Sequence, residues 1–336
     1  MKHKVPNSAT PKLAVSFLHL VLTMICLAVL IAYFANDFWL SVWTSVSALS
    51  LALAGAALLY GQLGLVSLCQ YALVGVGGWV TLRIGDSYHI PFFISMLAGG
   101  LGAMLAGLAV SLPALRLRGL YLALVTLMLA GGYEIFISVC DFPNGGGGLT
   151  GRVTGDAMNV ILSRPSIAQS SRGYFLYVSF ICMLGLMVVQ WHKRTLPGRS
   201  WALLRKGEAT AVAAGVNSVL YKAWAFALSG FLAGIAGALM AGNFGQLDER
   251  GFGAFNSLML FALSVVGGVY NWFGVLIGSA LLLGMPALFT DFGVNGYIAT
   301  GIFGLGLFHA LSTAPSGIAG QISGLIARLT RKGAGE

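Results

Sequence analysis

The chain has 336 residues, of which 57% are hydrophobic and 9% charged, with 19 Lys and Arg against 10 Asp and Glu and a net charge of +9. Globular domains carry about 25% charged residues, so this is a membrane protein, and no polar stretch is long enough to add a soluble domain. The positive excess is spread through loops rather than gathered on a soluble basic face, which excludes a nucleic-acid binder and reads as charge that fixes orientation in the bilayer.

A spanning helix needs about 20 mostly apolar residues. Ten such windows occur, at about 13–34, 39–60, 65–82, 91–113, 119–139, 173–192, 219–241, 254–270, 272–290 and 295–312. The expected fold is therefore an all-α integral membrane domain over 1–336 with about ten transmembrane helices. The first run, after MKHKV, exceeds the ~7–15 residues of a signal-peptide core and reads as a retained helix. With the N-terminus inside, 14 of the 19 basic residues fall in inner segments, which predicts both termini in the cytoplasm.

In the third window Gly75, Gly77 and Gly78 crowd a short region that also holds Ser67 and Gln70. Glycine in a membrane helix serves close packing or marks a break that lines a pathway, and both readings stand here. Small residues at four-residue intervals, Gly99, Ala103 and Gly107, then Gly230, Gly234, Ala238 and Gly242, predict close helix contacts. Glu134 is the one acidic residue well inside a predicted span. It either reaches interfacial water or serves a gate or pathway.

Residues 140–172 form a long outer loop with four successive glycines, suited to contact with an external partner, and 242–253 form a second one containing Asp248, Glu249 and Arg250. No GxxxxGK[ST] pattern occurs, so the chain has no P-loop of its own. The five histidines are scattered and the four cysteines lack any paired spacing, which argues against a metal site, a disulfide framework or a membrane enzyme. An ion-coupled transporter would need intramembrane carboxylates, and Glu134 stands alone in that respect.

Residues 192–217, HKRTLPGRSWALLRKGEATAVAAGVN, are too polar to span and read as a short helical hairpin on the inner membrane surface. Pro197-Gly198 is expected to make the turn, Ser200 to cap, and Gly215 to end the second helix in a left-handed conformation. The small side chains of Ala209, Ala211, Ala213 and Ala214 would let a partner backbone approach, so the segment reads as a docking element. The tail at 315–336 carries an amphipathic pattern for the inner surface. Five spans before the long loop and five after it give the parity that a 5+5 inverted repeat requires.

Four blocks recur together and in order: LPALRLRGLYLALVTL at 112–127, P-G-R with E-A…A-x-G-V-N within 197–217, YKAWAFALSGFLAGIAGAL at 221–239, and VVGGVYNWFGVLIGSALL at 265–282. Through them the chain resembles the permease subunits of bacterial ABC importers for branched-chain amino acids, and specifically the longer of the two paired permeases. The resemblance implies a non-catalytic subunit of the inner membrane that binds no cofactor itself. Its implied partners are a second permease, two cytoplasmic ATPase subunits that hold ATP and Mg, and a periplasmic solute-binding protein. Urea, short amides or other small solutes are alternative cargoes within the same type.

By resemblance the coupling segment 192–217 would dock on the ATPase through Arg199, Arg205, Lys206, Glu208, Ala209, Ala213 and Gly215. The translocation path would draw on Ser67, Gln70, Gly75, Gly77, Gly78 and Glu134. The binding protein would meet Asn144, Gly145, Gly148, Asp248 and Glu249. Relative to the family pattern, Gln70 stands where His is frequent, Gly207 where an acidic residue is frequent, and the span-5 glutamate lies nearer Thr126 than Glu134. Residues 143–150 only approximate the family's T-G-G-x-N-G-L.

Overall fold

The computed structural model describes residues 9–115, 117, 119–139, 162–245, 247, 249–294, 301 and 317–322. All regular elements among them are helical: α1 Ala9–Phe34, α2 Asp37–Leu58, α3 Gln70–Tyr88, α4 Phe92–Ala114, α5 Leu120–Val139, α6 Ser171–Arg194, α7 Leu196–Lys206, α8 Glu208–Ala213, α9 Ser218–Phe244, α10 Ala254–Gly267, α11 Trp272–Ser279 and α12 Met285–Asp291. π-helical turns at Leu59–Leu63 and Ala280–Gly284 extend α2 and join α11 to α12.

Starts and stops follow from local chemistry. Asn36, Ser170 and Asn217 each accept a backbone N–H three residues on, at 2.9, 3.1 and 3.1 Å, and so cap α2, α6 and α9. Gly64 and Gly245 take φ of 72° and 74° and end their helices in the left-handed region that other residues enter at a cost.

Among the described residues, six helices are long and apolar enough to cross a membrane: Asp37–Leu63, Phe92–Pro113, Leu120–Val139, Ser171–Arg194, Ser218–Phe244 and Trp272–Asp291. The shorter Leu18–Phe34 and Ala254–Gly267 are apolar as well. Of the ten expected windows, six are therefore matched by helices of spanning length among the described residues. The window at 65–82 is displaced, because residues 64–69 are not helical and α3 starts only at Gln70; α3 then runs on to Tyr88 through Arg83 and is not among the six. The window at 295–312 and the tail pattern at 315–336 lie almost wholly outside the described residues.

The bundle is organised around α9, whose apolar window is 94% buried against 28% for α5. Its small residues admit three neighbours at backbone distance. A Cβ added at Gly234 would stand 2.7 Å from the Gly99 carbonyl oxygen of α4, and one at Gly107 would stand 2.7 Å from the Phe226 carbonyl. Gly77 of α3 faces the Gly234 backbone, and Gly55 of α2 faces Ser229. Lipid tails supply no hydrophobic drive between helices, so this contact is van der Waals packing made possible by the absent side chains. Polar ties reinforce it: Tyr174 Oη donates to the Leu239 carbonyl at 2.7 Å, and the Asn243 amide donates to the Ser41 carbonyl and Ser45 Oγ, both at 3.0 Å.

Contact order along the helices sets their directions. Gly55 meets Ser229 and Ser45 meets Asn243, while Gly107 meets Phe226 and Gly99 faces Gly234, so α2 and α4 run antiparallel to α9. Gly77 opposite Gly99 and Gly85 opposite Ser95 set α3 antiparallel to α4 and hence parallel to α9. The end of α2, α7, α8 and the turn between α10 and α11 thus share one end of the bundle.

Gly77→Val places two methyl groups on the Gly234 backbone and is expected to cost on the order of 1–3 kcal/mol or more through overpacking. Gly132→Val on α5, where an added Cβ meets nothing within 4 Å, is expected to change stability by less than about 0.5 kcal/mol. Thermal unfolding of the two variants in detergent checks the contrast.

Candidate functional site

Residues 192–217 fold as two helices on the α9 bundle, and the way they are seated differs from the expectation. The break after α6 falls at Thr195, whose N–H still bonds the Trp191 carbonyl at 3.1 Å. Pro197 occupies the first turn of α7, where its missing N–H costs nothing. Pro197-Gly198 therefore makes no turn. Gly198 is required by proximity instead: a Cβ there would reach the His192 carbonyl oxygen at 2.6 Å and fall still closer to that of Lys193. Ser200 lies buried within α7 and does not cap it.

The fixed point of α7 is Trp201, which is fully buried. Its Nε1 donates to the Tyr221 carbonyl at 2.8 Å, and its ring lies nearly parallel to His192 with centroids 6.3 Å apart. His192 also meets Trp224 at 6.0 Å, so one aromatic cluster joins α6, α7 and α9. With Gly198 and Leu204 also buried, the remaining face exposes Arg199, Ala202, Arg205 and Lys206. The sequence carried this signal as a Trp and a Leu three residues apart inside a basic run.

Gly207 is extended and α8 begins at once with Glu208, whose Oε1 accepts from Lys222 Nζ of α9 at 2.8 Å. Lys222 is buried and Glu208 mostly so. Ala211 packs inward, while Ala209, Thr210, Val212, Ala213 and Ala214 are exposed. Gly215 closes the helix at φ 82°, as expected, with its own N–H bonded to the Val212 carbonyl at 2.9 Å and that of Val216 to the Ala211 carbonyl at 3.0 Å. The result is a short, rigidly held surface of small side chains. It offers a shape to dock against and no chemistry.

Arg205, although exposed, folds back along the protein surface onto neighbouring elements. Its Nη1 donates to the Gly61 carbonyl and its Nη2 to Tyr270 Oη at 2.8 Å, with the guanidinium 5.4 Å from the Tyr270 ring centroid. Sequence reasoning missed Gly61 and Tyr270, since nothing local pairs them.

At the start of α3 the chain is broken over residues 64–69. The Leu68 N–H, which has no helical partner, donates to Thr126 Oγ1 of α5 at 2.9 Å. Unwound backbone at membrane depth persists only inside protein or beside a cavity; here Ser67, Leu68 and Cys69 are buried, while Gly64 at the start of the break is exposed. Ser67 Oγ lies 3.4 Å from Cys69 Sγ, and Gln70 is fully buried with neither amide atom hydrogen-bonded among the described residues.

The three glycines beyond are spent on packing. Gly77 and Gly78 lie against the α9 backbone, and Gly75 faces Tyr133 and Phe252. Glu134 is half-buried against Gly253, where a Cβ would meet its Cδ at 2.7 Å. Gly253 precedes α10, so the carboxylate stands beside the positive end of a helix dipole.

Asn144, Gly145, Gly148 and Asp248 lie outside the described residues, and Glu249 opens a 3-10 turn, Glu249–Phe252. The end of the bundle opposite α7 also holds a cavity of about 770 Å³ lined by His89, Phe92, Arg164, Gln169 and Tyr177 among others. Arg164 donates there to the Asn243 and Gln169 carbonyls at 3.3 and 3.4 Å. Among the described residues no three His, Cys, Asp or Glu side chains gather as a metal site would need.

Residues 38–321 match the family model described as the permease component of branched-chain amino acid transport systems. Two relatives, each named a high-affinity branched-chain amino acid transport system permease protein LivM, come from Salmonella typhimurium and Escherichia coli K12. Each is 27% identical over 256 residues, covering 71% of this chain and 60% of the relative, so the chain spans about three fifths of their length. No solved structure matches.

Lys222→Met removes the ammonium from the Glu208 carboxylate and is expected to destabilise the chain by about 1–3 kcal/mol, with Lys222→Met/Glu208→Leu recovering part of the loss. A double-mutant cycle of thermal unfolding in detergent measures both.

Proposed function

The chain belongs to the family of branched-chain amino acid transport permease components, and from that premise we propose that it is the membrane-spanning subunit of an ATP-driven ABC importer. The cargo is a branched-chain or related amino acid, delivered by a periplasmic binding protein and passed to the cytoplasm of a bacterial cell across the inner membrane. ATP and Mg sit on two separate cytoplasmic subunits, and a second permease completes the pathway. The observation that carries the reading is α8: an exposed surface of Ala209, Val212, Ala213 and Gly215, seated on the bundle by Trp201 and by the Lys222–Glu208 pair.

A surface of this kind transmits force when a partner grips it, because its own attachments are stiff. Helix movement of this rigid-lever sort is how packed elements convert a local event into a switch between two arrangements. Residues 192–217 are accordingly the coupling segment, with Arg199 and Lys206 exposed beside the small-residue face. On the inside-positive distribution of charge, this end of the bundle faces the cytoplasm together with both termini and the tail at 315–336.

The remainder of the proposal concerns the route. Ten spans arranged as a 5+5 inverted repeat would make the unwound residues 64–69 a broken helix of the first half, the kind of element that lines a site between repeats. Ser67, Gln70 and Glu134 are the candidate path residues, since each carries a polar group at membrane depth that helix packing does not require. Gly75, Gly77 and Gly78 contribute by letting α3 approach its neighbours. The loop at 140–172, with Asn144, Gly145 and Gly148, and the turn with Asp248 and Glu249 receive the binding protein.

Ala213→Trp or Ala209→Glu is expected to lower solute uptake at least about tenfold in vesicles containing the assembled transporter, while the chain still inserts and ATP hydrolysis continues. Unchanged uptake in both variants would rule out docking at α8. Co-purification from native membrane tests the partner set: an ATPase and a second permease should accompany the chain.

A further inference from the structure

The last turn of α2 is not α-helical. Over Leu59–Leu63 it widens to a π-helix and ends on Gly64 at φ 72°. In a continuing α-helix the Leu65 N–H would bond the Gly61 carbonyl, but here it bonds the Leu59 carbonyl at 3.2 Å. The Gly61 carbonyl is thereby released, and it accepts from Arg205 Nη1 of α7. The aliphatic part of Arg205 also runs close over Gly64, where an added Cβ would stand 3.6 Å from its Cγ. The second arm of the guanidinium holds Tyr270, one residue after Val269, whose carbonyl lies 3.1 Å from where a Gly61 Cβ would be.

One planar side chain thus joins three elements: the end of the coupling helix α7, the π-turn of α2 and the turn between α10 and α11. Lysine cannot reproduce this, since its donors radiate from a point rather than a fork. Beyond the π-turn the chain enters the unwound 64–69 segment, which is fixed at its far end by the Leu68 N–H on Thr126 and leads into Gln70. Single π-turns are rare and recur at functional sites.

We infer that Arg205 is a positioning residue that transmits movement of the 192–217 segment to the unwound strand 64–69, acting as a strut rather than as part of the docking face. This rests on the proposed role of that segment. Among the described residues of the segment, Trp201 and Glu208 hold it to α9, whereas Arg205 reaches the break. Displacing α7 therefore pulls on Gly61 and the π-turn, shifting Ser67 and the first turn of α3 at Gln70, while the glycine-packed part of α3 from Gly75 onward, α4 and α9 stay fixed.

Two measurements test this. Amide hydrogen exchange on the purified full chain in detergent needs no partner: Arg205→Ala and Arg205→Lys are expected to speed exchange at residues 64–69 by about tenfold or more, with α9 unchanged. Tyr270→Phe, which deletes one hydroxyl and keeps the ring, is expected to give a smaller rise of about two- to fivefold. No change at 64–69, or an equal rise in α9, would overturn the strut.

The second measurement uses the assembled transporter in vesicles. There Arg205→Lys should lower solute moved per ATP hydrolysed several-fold while hydrolysis persists. An unchanged ratio overturns the transmitting role. Should no ATPase assemble with the native chain, the importer reading fails, while the exchange result still decides whether Arg205 restrains the break.

Discussion

Everything in this bundle depends on how closely α3, α4 and α9 approach. In water, apolar side chains would drive such helices together; in lipid that drive is absent, and cohesion comes from contact area and polar ties. Gly77, Gly99 and Gly234 meet nearly at one point, and each is small because the other two are near. That mutual dependence makes α9 a rigid axis. Asn243 and Tyr174 then pin the axis at one end to α2 and α6, and the aromatic cluster of His192, Trp201 and Trp224 does so at the other.

Against that axis the end carrying α7 and α8 is built differently. It uses a buried ion pair, an aromatic stack and a guanidinium fork in place of small-residue packing. Such directional contacts hold one geometry while leaving the surface of α8 free, the arrangement that the proposed docking role requires. At the break over 64–69 the Leu68 N–H is satisfied by Thr126 of α5, while those of Gly64 and Leu65 bond back to the π-turn of α2.

Much of the fold was legible in the sequence, because the signals involved are local and repeated. Hydropathy windows located α2, α4, α5, α6 and α9 to within a few residues, and the four-residue spacing of small residues identified the α4 and α9 faces that do meet. The start of α3 was not legible. Gly64 ends a helix by conformation, and nothing in the apolar run after it says that the next helix waits until Gln70. The turn assigned to Pro197-Gly198 failed for a related reason: Pro suits both a turn and a first helical turn, and only the carbonyls of α6 show why Gly198 must be small. The exposed small-residue face of α8 was recognisable from its alanines, yet Arg205, grouped with it by charge, bonds Gly61 and Tyr270, residues far away in the chain. Long-range pairings of this kind leave no local pattern.

The position of α9 in the chain bears on how the protein is made. Residues 218–244 emerge from the ribosome only after α2, α3 and α4 have entered the bilayer, so the grooves around Gly55, Gly77 and Gly107 stand open to lipid until the central helix arrives. The amino-terminal half inserts early but can mature only late, and a chain halted before Ser218 would present unfilled helix faces to the quality-control proteases of the membrane.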